Sequence, residues 1–193
     1  MARTREFDAD EAVGRAMDLF WERGYEATSL RDLTDALEIG SGSLYAAFGS
    51  KDGLFQAALA RYRQEQAQPL LDALSSDEEI RSVMRRVLGM LVATAVTDQL
   101  RRGCLVVNSA TERIPRDADT AAAVRSVLAS IREAIEDALR RARQRGELAP
   151  DKDARALAGF FLTFMNGLRV AAKTDPDEQS LTRSMEAALT VLD

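Results

Sequence analysis

Apolar side chains recur at every third or fourth position through almost all of this 193-residue chain. Nowhere do they alternate singly with polar residues between tight turns. A 3.6-residue period lines one stripe of a helix, whereas a period of two lines one face of a strand. The chain is therefore read as all-α. Its four prolines, Pro69, Pro115, Pro150 and Pro176, lie far apart, where breaks between long helices would fall. An apolar content of 46% and a net charge of only −5 suit a filled core and argue against disorder.

Composition also removes whole classes of chemistry. There is no histidine, so the commonest general base and metal ligand is missing. The single cysteine, Cys104, allows no internal disulfide and no multi-cysteine zinc site. The paired acids Glu112/Asp117 and Asp151/Asp153 fall where helices should end, and no glycine-rich phosphate loop is present. The chain is read as no enzyme, with no cofactor and no metal. No apolar run approaches the ~18 residues that span a bilayer, and Met1 to Asp8 lacks the apolar core of a signal peptide. A cytoplasmic protein with no membrane partner is expected.

The first fifty residues carry the sharpest pattern. Asp8 caps a helix bearing Val13, Ala16, Met17 and Phe20, and Gly24 stops it. Ser29 with Asp32 opens a second helix with Leu30, Leu33 and Leu37 on one face. After a turn at Ile39-Gly-Ser-Gly42, Leu44 and Phe48 mark a third. Gly49-Ser50 then starts a longer helix, expected to end near Gln68 before Pro69. Short helices on short turns fit a helix-turn-helix unit, whose outward side can enter a DNA major groove.

The stretch from Phe20 to Phe55 resembles the TetR family of bacterial transcriptional regulators. It carries Phe20-x-x-x-Gly24-Tyr25-x-x-Thr28-Ser29, a small-residue turn, Leu44-Tyr45-x-x-Phe48 and Ser50-Lys51-x-x-Leu54. The resemblance implies a nine-helix, all-α fold. A DNA-binding unit would occupy residues 1–50, a connecting helix 51–68, and a ligand-binding and dimerisation domain 69–193. It implies a homodimeric repressor, released from a palindromic double-stranded operator by a small apolar effector. Thr28, Tyr45 and Lys51 match phosphate-contacting positions. Ser41, Gly42, Ser43, Tyr45 and Ala46 match the start and outward face of the recognition helix, with Arg3 and Arg5 on a preceding arm. Three features depart from the pattern. Ala46 and Ala47 replace bulkier residues and can touch only a thymine methyl. Glu38 stands where many relatives have glycine. Residues 1–68 hold eight basic and twelve acidic side chains, although Ile39 to Lys51 contains no acid.

Further along, Met84, Leu88, Leu91, Val107, Val127, Ile131, Phe161, Phe164 and Met165 offer an apolar pocket lining, or else pack on one another. Asn108, Thr111 and Glu112 would add polar specificity. Gly103-Cys104-Leu105-x-x-Asn108-x-x-x-Glu112 resembles a segment of one TetR branch, some members of which sense electrophiles or oxidants through that cysteine. Two readings of Cys104 stand: a thiol activated at a helix start, or a small buried apolar group. The stripes Leu157, Phe161, Phe164, Leu168 and Leu181, Met185, Leu189, Leu192 are expected to form a four-helix dimer interface. An all-α ligand carrier with weakened DNA binding is the alternative, favoured by the acidic N-terminal unit.

Overall fold

The computed structural model describes residues 7–193, all of it helix and connecting turn, with no strand among the described residues. Arg3 and Arg5 lie outside the described residues. The N-terminal head consists of α1 (Ala9–Arg23), α2 (Leu30–Leu37) and α3 (Ser41–Phe48). Each helix start follows from a local signal. Asp8 accepts the Asp10 and Glu11 amides, and Ser29 and Asp32 form a reciprocal capping box. Gly24, at φ 84°, closes α1 by donating its N–H to the Phe20 carbonyl.

Next, α4 (Lys51–Tyr62) passes through a π-helical turn over Arg63–Ala67 into α5 (Gln68–Leu74). The connecting helix therefore does not stop at Gln68, as expected, but reaches Leu74. A proline within an α-helix loses its own hydrogen bond and presses its ring on the carbonyl four residues earlier. The chain avoids this by widening the turn just before Pro69, where the Gln68 N–H bonds five residues back to Arg63.

The body comprises α6 (Ile80–Thr97), α7 (Leu105–Glu112), α8 (Ala118–Gln144), α9 (Ala154–Thr174) and α10 (Glu178–Leu189). With α4 and α5 counted as one rod, the described residues form nine helical rods. α8 packs along α9, and α6 lies against both α9 and α10. One continuous core runs from Ala12 in the head to Leu192. Among the described residues, no helix is long and apolar enough to cross a membrane.

The expected dimer stripes are largely inside the subunit. Phe161 and Leu189 are fully buried, Leu168, Leu181, Met185 and Leu192 nearly so, and Leu157 and Phe164 half-buried against the same core. The 3.6-residue period marked the faces by which α9 and α10 hold the body together. A different face of α9 points outward: Phe160 and Val170 are 41% and 52% exposed, with Thr163 and Gly167 between them.

Candidate nucleic-acid interface

The residues of α3 divide cleanly. Leu44 is fully buried, and Phe48 is half-buried with its ring 6.3 Å from Phe7. Ser41, Gly42, Tyr45, Ala46 and Ala47 are exposed, and Ser43 is half-buried. No side chain caps the start of α3, where Gly40 is the N-cap, so its first amides have no side-chain acceptor. Such amides, at the positive end of the helix dipole, suit a phosphate. A Cβ placed on Gly40 or Gly42 would meet nothing within 4 Å, so backbone here is open to a close partner.

The seat of α3 depends on a residue that the spacing did not reveal. A Cβ on Gly53, in the first turn of α4, would lie 2.0 Å from the Phe48 carbonyl oxygen. Only glycine lets the end of α3 rest so closely on α4. Gly53→Ala should lower stability by about 2 kcal/mol, as overpacking does, and shift α3 relative to α4. Urea unfolding together with a DNA-binding titration checks this; unchanged stability and affinity would contradict the close seat.

Two phosphate-contact expectations are changed by the geometry. Thr28 is fully buried, and its hydroxyl donates to the Gly24 carbonyl at 2.6 Å. Its side chain closes the α1–α2 turn and does not face solvent. Lys51 begins α4, but its ammonium folds back to donate to the Tyr25 carbonyl at 2.7 Å and sits 3.9 Å from the Tyr25 ring centroid. Partial burial lowers its pKa below the ordinary lysine value, with neighbouring acids opposing the shift. Two of its three donors remain for another acceptor.

Glu38 occupies the left-handed region at φ 55°. The α2–α3 turn thus keeps a shape that suits glycine, at the strain of a side chain. The acidity of the head is also locally balanced. Within the head, Glu11 and Glu38 pair with Arg15 and Asp32 with Arg23; Asp10 pairs with Arg61 of α4, and Asp18 and the α4 residue Asp52 pair with Arg102 and Arg113 from the body.

Those two body arginines belong to a clamp that also went unseen in the sequence. The Glu112 carboxylate accepts the amides of Tyr25 and Glu26 at 3.0 and 2.9 Å. Arg113, only 7% exposed, lies 3.4 Å from the Tyr25 ring centroid, donates to Asp52 at 2.7 Å and pairs with Asp117. The Tyr25 hydroxyl donates to Asp52 at 2.8 Å. Nearby, Arg102 stacks 4.0 Å from the Trp21 ring, and the Trp21 indole N–H donates to the Gly103 carbonyl at 3.1 Å. The only signal available was an adjacent acid and base closing a short apolar helix.

A cavity of about 420 Å³ lies behind this clamp, between the head and the body. Trp21, Tyr62, Leu70, Met90 and Leu91 supply apolar wall, and charged side chains stand around it. Of the expected pocket residues, Leu91 alone lines it. Met84, Leu88, Phe161 and Met165 are fully buried in the core. Val127 lines a separate cleft of about 450 Å³ beside α4. Cys104, Val127 and Ile131 border a void of about 10 Å³. Val107 packs on the core, Asn108 donates to the Arg102 carbonyl at 2.9 Å, and Thr111 to that of Asn108 at 2.8 Å. Phe164 stacks beside Phe160, centroids 6.3 Å apart. Cys104 is buried at the start of α7 near Tyr62, whose pKa is driven well above the usual tyrosine range, mainly by burial. Of its two readings, the packing one fits this burial.

Comparison with known proteins agrees with this architecture. Residues 13–58 match the family of bacterial regulatory proteins, tetR family, and residues 79–188 match the tetracyclin repressor-like, C-terminal domain. The chain is 32% identical to the HTH-type transcriptional repressor ComR of Escherichia coli, over 98% of this chain and 90% of that one. It is 31% identical to the uncharacterized HTH-type transcriptional regulator YezE of Bacillus subtilis, over the full length of both. Among solved structures, a cysteine mutant of the TetR family regulator CifR complexed with 26-bp operator DNA superposes with a TM-score of 0.90. It is 39% identical, covering 99% of this chain and 100% of that one. These matches define the class: a helix-turn-helix regulator of transcription. The chain belongs to the TetR family.

Proposed function

We propose that this protein is a homodimeric repressor that binds a two-fold-symmetric DNA operator through α3 and leaves it when a small molecule fills the cavity behind Trp21. The observation that carries the reading is the two-sided character of α3: Leu44 and Phe48 face inward, while an uncharged, glycine-bearing surface faces out from a helix start without a side-chain cap. On this reading Ser41, Gly42, Ser43 and Ala46 approach base edges and backbone. Tyr45, 46% exposed, and Lys51 contact phosphates. Thr28 supports the turn from beneath.

The outward face of α9 pairs with the same face of a second copy. Phe160, Thr163, Gly167 and Val170 repeat at three- and four-residue steps, and a Cβ on Gly159 or Gly167 would meet nothing within 4 Å. Such a face lets two helices approach closely about a two-fold axis. Effector control follows from the cavity sharing a wall with the head. Trp21 belongs to α1, so a ligand that prefers one position of Trp21 selects one position of the head.

A mobility-shift titration on the DNA flanking the protein's own gene, at two salt concentrations, tests this. A shift that weakens steeply with salt is expected, because phosphate contacts release counterions. Absence of any shift at low salt would favour the ligand-carrier reading.

A further inference from the structure

The charges around the head–body cavity are unevenly matched. Two acids line it, and each is held by a cation outside it: Glu65 pairs with Arg61 at 2.7 Å, and Asp98 with Arg102 at 3.1 Å. Three cations line it as well: Arg101, Arg169 and Lys173. None of these three makes an ion pair or a side-chain hydrogen bond with any described residue. Elsewhere most of the arginines are paired, in a chain of net charge −5. Unmatched cations gathered at one concavity of an acidic protein attract and orient an anion.

Two backbone features lie beside these cations. Arg101 sits in the left-handed region at φ 51°, a conformation that a long side chain rarely adopts and that recurs at ligand sites. Gly103, at φ 70°, leaves room for the Lys173 stem, whose Cδ lies 2.7 Å from where a Cβ on Gly103 would be. Lys173 therefore lies across the loop that closes the cavity. Trp21, Leu70, Met90 and Leu91 add apolar surface to the same cavity, and the Trp21 N–H is already engaged by Gly103.

Resting on the effector reading above, we infer that the ligand is an amphipathic organic anion: an apolar body against Trp21, Leu70 and Leu91, with a carboxylate head on Arg101, Arg169 and Lys173. The small apolar effector expected from the sequence would leave these three cations to solvent. A volume of about 420 Å³ suits a small molecule of this kind.

Trp21 is the chain's single tryptophan, so its fluorescence reports occupancy directly. Straight-chain carboxylates of six, eight and ten carbons are titrated into the full chain beside the amides and primary ammonium ions of the same lengths. At one or more lengths the carboxylate should bind at least about tenfold tighter than both, as a charge-assisted contact provides. In Arg169→Gln/Lys173→Gln the preference should fall to about twofold. Lys173→Gln alone, at an exposed position, should remove part of it without affecting folding. Amides that bind as well as carboxylates at every length overturn the inference. So does a panel in which no carboxylate alters Trp21, or a preference that survives the double substitution. Carboxylate binding without any DNA shift would keep the site and refute the regulator reading. A DNA shift with no carboxylate preference would do the reverse.

Discussion

Arg113→Ala is expected to lower stability by about 3 kcal/mol or more, measured by urea unfolding at neutral pH. Breaking a buried ion pair from one side costs about 3–5 kcal/mol, because the remaining charge keeps its burial and loses its partner. Arg113 is 7% exposed and serves several groups at once. It pairs with Asp117 and Asp52, reaches Thr120 at 3.3 Å, and lies against the rings of Tyr25 and Phe55 at 3.4 and 5.0 Å. Its loss leaves the Asp117 carboxylate, whose side chain is only 19% exposed, without a cation.

The same substitution should change the pH dependence. The Thr120 hydroxyl, and then the Arg113 guanidinium, hold Asp117 far below the usual carboxylate range. A folded pKa below the unfolded one, about 3.9, means that this stabilisation is complete above the unfolded value. It is lost as pH falls through it toward the folded one. The wild-type chain should therefore weaken from about pH 5 downward. In Arg113→Ala this part of the slope should shrink without vanishing, because Thr120 remains at 2.6 Å. A stability loss under about 1 kcal/mol, or an unchanged acid slope, would show that the clamp does not join head to body as described.

Ala46→Asp is expected to weaken operator binding by at least about a hundredfold with almost no change in stability. Ala46 is exposed in the middle of α3. A carboxylate there costs a few tenths of a kcal/mol in helix propensity. Against phosphate, however, a like charge costs several kcal/mol. Fluorescence anisotropy with a labelled operator gives the affinity, and thermal unfolding gives the control. Unimpaired affinity would place α3 away from the duplex.

The fold was legible where local rules decide it. The Asp8, Ser29 and Ser50 caps, the Gly24 stop and the inward Leu33, Leu37 and Leu44 all follow from short-range periodicity and hydrogen bonding. What was not legible depends on groups far apart in sequence. Leu168 and Leu189 read as interface because an apolar stripe does not say which neighbour covers it; within the subunit α9 packs on α8 and α6, and α10 on α6 and α9. Thr28 read as a phosphate contact because its burial beneath the head becomes visible only in three dimensions. Glu112 and Arg113 meet Tyr25 and Asp52 across sixty residues or more, and no spacing pattern reports that. Pro69 read as a helix end because a proline ordinarily is one, and the π-helical turn that accommodates it has no simple residue signature.

Hydroxyl-radical footprinting of the operator complex reads how two α3 helices sit on the duplex. Two protected half-sites on one face of the duplex are predicted, related by a two-fold axis, with centres about 34–36 Å or a multiple of that apart. A single protected stretch, or none at low salt, would contradict a symmetric pair of α3 helices reading DNA.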